Sequence, residues 1–426
     1  ARAVMQRLIL VATLVGEILC SQAAADTYPR QPAVDAAHYV FELELSDETD
    51  HIEGRTTVHL RIRGDRVSEV SLDLIHPSEE APHRGMTVAG VTDGDSPLSW
   101  EHSGDRLRVA LDPPGRRGER RRVVVRYHGV PGDGLVIGPN DHGDRTFFSD
   151  NWPDDARHWL PVIDHPYDKA TSEMVVTAPG HYQVVSNGLL VEETDNEDGR
   201  RRTHWRQSVP ISPWLYVLGV ARFAVEHRPA WRGVPIQTWV YPQDRETGFA
   251  AFAEPTVQVL EFMAHRVGPY PYEKLAQVQS NSVRGGMESA SAIFYGPTSA
   301  TGERPGRWRN VIIHEIAHQW FGNSVTEDDW DHVWLSEGFA TYFTHLFIEH
   351  SEGRDAFVAR LQDDKDIIRS FDEKQPDYRI VHDELADMRR VVTQPGTYKK
   401  GAWVLHMLRG VIGDDAFWSG IREYYA

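Results

Sequence analysis

The sequence predicts a multidomain protein in which an N-terminal all-β saddle or sandwich is followed by an α/β (α+β) part. Three observations carry this. From about Ala37 to Gln237 the chain consists of short segments of alternating apolar and polar residues, divided by turn clusters. After about Tyr241 the apolar residues take up helical spacing, with only two strand-like stretches between the helices. At 426 residues and 48.4 kDa, the chain is long enough for two or three separate cores.

The front elements are "YVFELEL", "RTTVHLRI", "RLRVALD", "RRVVVRYHG", "SEMVVTA", "YQVVSNGLLV" and "WLYVLGVARFAV". Period-two alternation sends successive side chains to opposite faces of a strand, so each can bury one face and wet the other. "TDGDSP", "DPPGRRG", "NDHGD" and "TDNEDG" supply the turn residues between them. That spacing is expected for antiparallel sheets, and no sequence period repeats. The basic run Arg116 to Gly129 leads into one of these alternations and reads as the wet side of a strand. Further on, "FAEPTVQVLEFMAHRVG", "VIIHEIAHQWFGN", the segment after Trp334 and "KGAWVLHMLRGVIG" read as helices, and "KLAQVQSNSV" and "SASAIFYG" as strands. The division between the two parts is expected near residue 240, giving 26–240 and 241–426.

With 40% apolar and 25% charged residues, the composition is that of an ordinary globular protein rather than a disordered chain. A formal charge of -18 argues against nucleic acid or an anionic membrane as partner, since binding phosphate needs a basic face. Residues 1–25 resemble a secretory signal peptide starting at Met5: Arg7, an apolar stretch from Leu8 to Leu19, then Ala23, Ala24 and Ala25 before Asp26. Export, periplasmic or secreted, is therefore expected, with no integral membrane segment once the leader is removed. The only cysteine, Cys20, lies in that leader, where the bulky Ile18 and Leu19 before it disfavour a lipid anchor. A processed chain would have no thiol, so any metal must be held by His, Asp or Glu.

The run "VIIHEIAHQWFGN" has no Gly or Pro before Gly322, so it is expected to form a buried helix that stops there. His314 and His318 then share one face, a turn apart, and both imidazoles can reach one atom. Glu315 points about a hundred degrees away, a neighbour of that atom rather than a ligand. This H-E-x-x-H pattern is the zinc-peptidase arrangement. Catalytic zinc usually takes three protein ligands. Glu337, early in the helix of "HVWLSEGFATYF" and separated from His318 by eighteen residues, can supply the third if a short loop makes the two helices antiparallel. Read alone, a first-turn glutamate is also favoured simply by the helix dipole.

H-E-x-x-H, eighteen residues, then E within "WLSEGFA" resembles the M1 family of zinc aminopeptidases, whose catalytic domain is thermolysin-like. "GGMES", Gly285 to Ser289, is similar to the family's G-x-M-E-N motif, and "TYKKGAWVLHMLR" to the Y-x-K-G-A segment. "DHPYDKAT" and "VVSNGLL" resemble segments of the family's front β domain, for which structural roles are expected. The resemblance runs from about residue 36 to the end of the chain. It implies one zinc ion on His314, His318 and Glu337, Glu315 as the proton carrier, and Tyr398 as the hydrogen-bond donor to the oxyanion. It also implies that Glu288 holds the free amine of a peptide substrate, with Gly285, Gly286 and Met287 beside the peptide strand. Without the resemblance, Tyr398 reads rather as a packed tyrosine before a helix; for Glu288 the plain alternative is a solvated surface glutamate.

Ser289 stands where the family usually has Asn, and "DNWPDDAR" replaces a Q-x-E-x-x-x-A-R stretch, with Asp150 and Trp152 at its polar places. Asp150 is expected to face the substrate amine. Family members usually continue into a helical C-terminal domain, so a C-terminally incomplete catalytic domain is expected. Two rival readings are a non-catalytic binding scaffold, which would have no need to keep this residue set together, and a zinc endopeptidase, which Glu288 disfavours. An epoxide-hydrolysing branch carries a further tyrosine where this chain has Thr393.

Overall fold

Strand Val34–Glu44 shows how the alternation becomes a sheet: Tyr39, Phe41 and Leu43 are buried, while Val40 and Glu42 between them stay partly exposed. The structure, a computed structural model, describes residues 26–383 and 385–426; the expected leader, with Cys20, lies outside the described residues. Val34–Glu44 sits inside an eight-stranded sheet. In spatial order its strands are Leu189–Asp195, Arg200–Ile211, Ala170–Pro179, Val34–Glu44, Ile52–Ile62, Arg120–Val130, Gly85–Asp93 and Ser96–Pro97.

All pairs in this sheet are antiparallel except one: Val34–Glu44 runs parallel to Ala170–Pro179, with Phe41 opposite Met174. Parallel neighbours need a long crossover. Here the intervening chain builds several other strands of the front part, including a three-stranded sheet (Val67–Asp73, Arg106–Gly115, Trp100–Ser103). A four-stranded sheet combines Gln183–Ser186, Leu218–Ala221, Arg145–Ser149 and Leu135–Pro139. The basic run supplies the wet side of strand Arg120–Val130: Arg120, Arg122 and Arg126 are exposed, Val123, Val125 and Tyr127 on the other face are buried, and Arg121 on that face pairs with Glu119 and Asp93.

The second part is built on a five-stranded mixed sheet, Ala224–Trp231, Val234–Val240, Leu275–Gln279, Ala292–Tyr295 and Gly286–Met287. Its first two strands lie before residue 241, and Val234–Val240 pairs in parallel with Leu275–Gln279. The apolar run "WLYVLGVARFAV" hides this change of sheet. Leu218–Ala221 belongs to the four-stranded sheet, and a new strand for the next sheet starts at Ala224, after Arg222 and Phe223.

The α-helices among the described residues are α1 (Arg245–Arg266), between the second and third of these strands, then α2 (Pro305–His318), α3 (Trp334–Glu352), α4 (Arg354–Lys374), α5 (Gly401–Ile412) and α6 (Asp414–Tyr425). From Ser336 to Ile348, α3 is buried on every side, as its apolar composition requires. By contrast α4 buries only the stripe Phe357, Leu361 and Asp364. A π-helical turn, Gln394–Lys400, leads into α5. No helix among the described residues is long and apolar enough to cross a membrane.

Side chains from the two motifs of the front part fasten it to the second. Lys169 Nζ donates to the carbonyls of Asn323 (3.3 Å) and Ser324 (2.9 Å), just beyond α2. Asn187 donates to the carbonyls of Leu215 (2.9 Å) and Ala290 (2.7 Å) and accepts from the Val217 amide (2.8 Å). Trp152 meets Trp214 edge-on at 4.8 Å and Trp330 at 5.0 Å, closing the same junction with apolar surface.

Candidate active site

The motif helix α2 ends at His318, one turn earlier than its apolar run suggests. Gly322 lies beyond it with φ +108°, and a Cβ there would come within 2.3 Å of Ser336 Oγ and 3.0 Å of His318 Nδ1. Glycine at this position thus lets the loop fold back so that α3 returns beside α2. Glu337, in the first turn of α3, is buried against the two histidines.

His314 Nε2 and His318 Nε2 are 3.1 Å apart, and Glu337 Oε2 lies 3.2 Å from the first and 3.3 Å from the second. Two ring nitrogens pointed at each other gain little from direct contact, whereas three donors on a triangle of this size fit one shared cation. Zinc takes N and O ligands at about 2.0–2.1 Å in tetrahedral array, so neighbouring ligand atoms stand roughly 3.3 Å apart. The observed edges match, and the donor set of two imidazoles and one carboxylate suits zinc. The tautomer is set from outside the triangle. His318 Nδ1 lies 3.1 Å from the Phe321 carbonyl and 3.2 Å from Ser336 Oγ. A proton on Nδ1 donated to the carbonyl leaves the Nε2 lone pair facing inward.

Three carboxylates converge here, and their electrostatics show the need for positive charge. Burial and the neighbouring Glu288 push Glu315 well above the usual carboxylate range. Burial raises Glu288 to about 7, with Glu337 adding to the shift and His318 opposing it. For His318, burial alone would favour the neutral ring, but Glu288, Glu337 and Glu315 outweigh it and raise its pKa to about 10. His314 is lowered by burial, which outweighs its hydrogen bond to Glu337.

Each predicted residue can now be placed. Glu315 is buried directly behind Gly286: a Cβ on Gly286 would fall 2.3 Å from its carboxyl group, while one on Gly285 would meet nothing within 4 Å. The Glu288 carboxylate is 4.0 Å from His318 Nε2. Its backbone carbonyl accepts from Gln319 Nε2 (2.8 Å) and Asn323 Nδ2 (2.7 Å), so residues just after the metal helix fix the loop that carries it. Tyr398 stacks over His314 with ring centres 5.8 Å apart, and burial together with the facing Glu337 carboxylate keeps its hydroxyl protonated well beyond the usual tyrosine range.

Gly285, Gly286, Glu288, His314, Glu315, His318, Glu337 and Tyr398 all line one cleft of about 430 Å³. Met287 does not: it is buried in the strand that pairs with Ala292–Tyr295, where it supports the sheet. Asp150 is outside the cleft lining too, although burial, then Asp155, Asp133 and Glu288, raise its pKa to about 7. Trp152, in the junction cluster, has a packing role. Gln319, Asn323 and Ser336 went unremarked in the sequence. The i, i+4 spacing of Gln319 and Asn323 just past the second histidine was the available signal. His345 and Lys399, also in the cleft wall, had none.

Comparison with known proteins finds relatives for both parts of the chain. The family model for the peptidase M1 N-terminal domain matches residues 35–215, and that for the peptidase family M1 domain matches residues 252–426. Mouse glutamyl aminopeptidase is 30% identical over 287 residues, and rabbit aminopeptidase N is 30% identical over 288. These alignments cover 65% and 63% of this chain but 30% of each relative, so the chain spans under a third of the length of these curated proteins. Among solved structures, an M1 zinc metallopeptidase from Deinococcus radiodurans superposes with a TM-score of 0.76 at 28% identity, covering 93% of this chain and 86% of that one. A mutant of that peptidase bound to a Tyr-Ser-Ala substrate gives 0.75 at 26% identity, covering 93% and 87%.

Proposed function

The chain belongs to peptidase family M1, and on that footing we propose that it is a zinc-dependent aminopeptidase that removes the first residue of peptides with a free N-terminus. The observation that carries the proposal is the placing of Glu288 beside the His314, His318 and Glu337 triangle, within one cleft. An ammonium group held on Glu288 brings the first peptide bond, and no later one, to the triangle. It also orients the substrate, because Glu288 would hold the amine near His318.

His314, His318 and Glu337 would hold the zinc, which supplies Lewis acidity toward the carbonyl and acidifies water at neutral pH. Glu315 faces the same space from the adjoining helix position. Its raised proton affinity suits a group that takes a proton from water and hands it to the leaving amine. The Tyr398 hydroxyl, kept protonated, donates a hydrogen bond to the carbonyl oxygen as charge develops on it, an effect worth roughly 10²–10³-fold where one such donor is removed. The walls of Gly285 and Gly286 leave room for the peptide backbone. Export of the protein is part of this proposal, supported by the leader-like composition of residues 1–25.

The test is Glu315→Gln beside Glu337→Ala. Glu315→Gln should bind one zinc per chain yet lose peptide hydrolysis, while Glu337→Ala should lose the zinc as well. A Glu315→Gln chain that cleaves at the wild-type rate would refute the assignment.

A further inference from the structure

Helix α4 lies largely in solvent, and its buried stripe is Phe357, Leu361 and, one turn on, Asp364. Asp364 is 2% exposed, where an apolar residue would continue the stripe. A buried carboxylate is costly unless every lone pair is used. Both its oxygens are engaged. Oδ2 accepts from His345 Nε2 at 2.7 Å, and Oδ1 takes a short contact from Lys399 Nζ. His345 sits on α3 two turns after Glu337, and Lys399 directly follows Tyr398; both line the active-site cleft. Asp364 therefore ties the helix that carries one proposed metal ligand to the turn that carries the proposed oxyanion donor.

The turn needs such a tie. Gln394–Lys400 is π-helical, a wider and less favourable winding that occurs mostly at functional sites. Its first half is held by Tyr378, whose hydroxyl accepts from Thr393 Oγ1 (2.9 Å) and lies 3.1 Å from Thr397 Oγ1. The Tyr378 ring fills the space a Cβ on Gly396 would need. The second half is held through Lys399 to Asp364 and through Lys400 to Asp372 at 2.7 Å. The Lys400 pair is the more exposed of the two and contributes little. Tyr398 lies between the Tyr378 clamp and the Asp364 tether.

We propose that Asp364 is a positioning residue for Tyr398: by gripping Lys399 on one oxygen and His345 on the other, it fixes the height of the Tyr398 hydroxyl over the His314–Glu337 edge. This rests on the aminopeptidase reading, in which Tyr398 acts on the substrate oxygen. A displacement of the order of 1 Å at a reacting group costs up to roughly 10²-fold in rate.

The experiment is a double-mutant cycle on the zinc-loaded chain, comparing wild type, Asp364→Asn, Tyr398→Phe and the double variant, with steady-state kinetics on an amino-acid p-nitroanilide. Asp364→Asn should lower kcat roughly 10-fold or more with KM little changed, and should lower it no further in the Tyr398→Phe background. Equal factors in both backgrounds, or no loss in Asp364→Asn, would overturn the proposal. Amide hydrogen exchange is read on the same proteins: Asp364→Asn should speed exchange in residues 394–400 while α2 stays as protected as in wild type. Unchanged exchange in the turn would also count against the tether. If the wild type cleaves no peptide, the aminopeptidase reading fails by itself, and the exchange comparison still decides whether Asp364 holds the turn. Should Asp364→Asn not fold, Lys399→Met breaks the same tether from its more exposed end and is held to the same outcomes.

Discussion

Gly286 and Gly285 are adjacent, yet adding one methyl group should have opposite consequences. A Cβ at Gly286 would stand 2.3 Å from Cγ, Cδ and Oε1 of Glu315, against the 3.4 Å of ordinary contact, so the carboxyl must retreat by about 1.1 Å. The atoms that move are the end of a flexible side chain, and the backbone at Gly286 lies outside the left-handed region, so the fold should tolerate the change. A proton carrier displaced by about 1 Å costs roughly 10²-fold in rate. Gly286→Ala is therefore expected to lose about 10²-fold in kcat while binding one zinc and melting within about 2 °C of wild type. Gly285→Ala, with no protein atom within 4 Å of its new methyl, should leave Glu315 in place and keep kcat within threefold, its cost falling on KM where the methyl narrows the room for the peptide backbone. The assay is p-nitroanilide hydrolysis with zinc stoichiometry and thermal melts on all three chains. Near wild-type kcat in Gly286→Ala, or the same loss in both variants, would refute the role given to Glu315.

Three further outcomes follow from other parts of the structure. Ser336→Ala removes a hydroxyl 3.2 Å from His318 Nδ1 and should weaken zinc binding about 10-fold, read by competition with a chelator. Asn187→Ala leaves the carbonyls of Leu215 and Ala290 and the Val217 amide without their buried partner and should cost about 2–4 kcal/mol, read as a lower denaturant midpoint. Glu327 is buried, its carboxylate oxygens have no hydrogen-bond partner on another residue among the described residues, and burial raises it from 4.5 to about 8. Folded chains then keep its proton between those values and unfolded chains release it, so this group makes stability fall as pH rises from about 4.5 to 8. Glu327→Gln should remove that slope: no gain at pH 4, growing to about 3 kcal/mol at pH 7, read by chemical denaturation across pH.

The parts of this site that were legible in the sequence are those set by local periodicity. Two histidines four apart must share a helix face, and strands such as Leu275–Gln279 and Ala292–Tyr295 announce themselves by composition. Position 337 was legible as a ligand only through its spacing from the histidines, because a first-turn glutamate has a sufficient local reason to be there. Features decided by long-range contact were not visible. The early end of α2 depends on the approach of Ser336 to Gly322, and the change of sheet after Ala221 depends on which partner each half of one apolar run finds. Met287 is drawn into the sheet by its pairing with Phe294, which a motif reading cannot anticipate. Asp364 reads as one of many acids on a solvated helix until His345 and Lys399 are brought to it from 19 and 35 residues away.

The most direct measurement is the hydrolysis of free amino-acid p-nitroanilides beside their N-acetylated counterparts, by the zinc-loaded chain and by Glu288→Ala. The expected result is cleavage of the free-amine substrates alone, with Glu288→Ala raising their KM and losing rate. Equal cleavage of the blocked substrates by the wild-type chain would contradict the exopeptidase reading, because a cleft that needs no ammonium group has no use for Glu288 beside the metal-binding triangle.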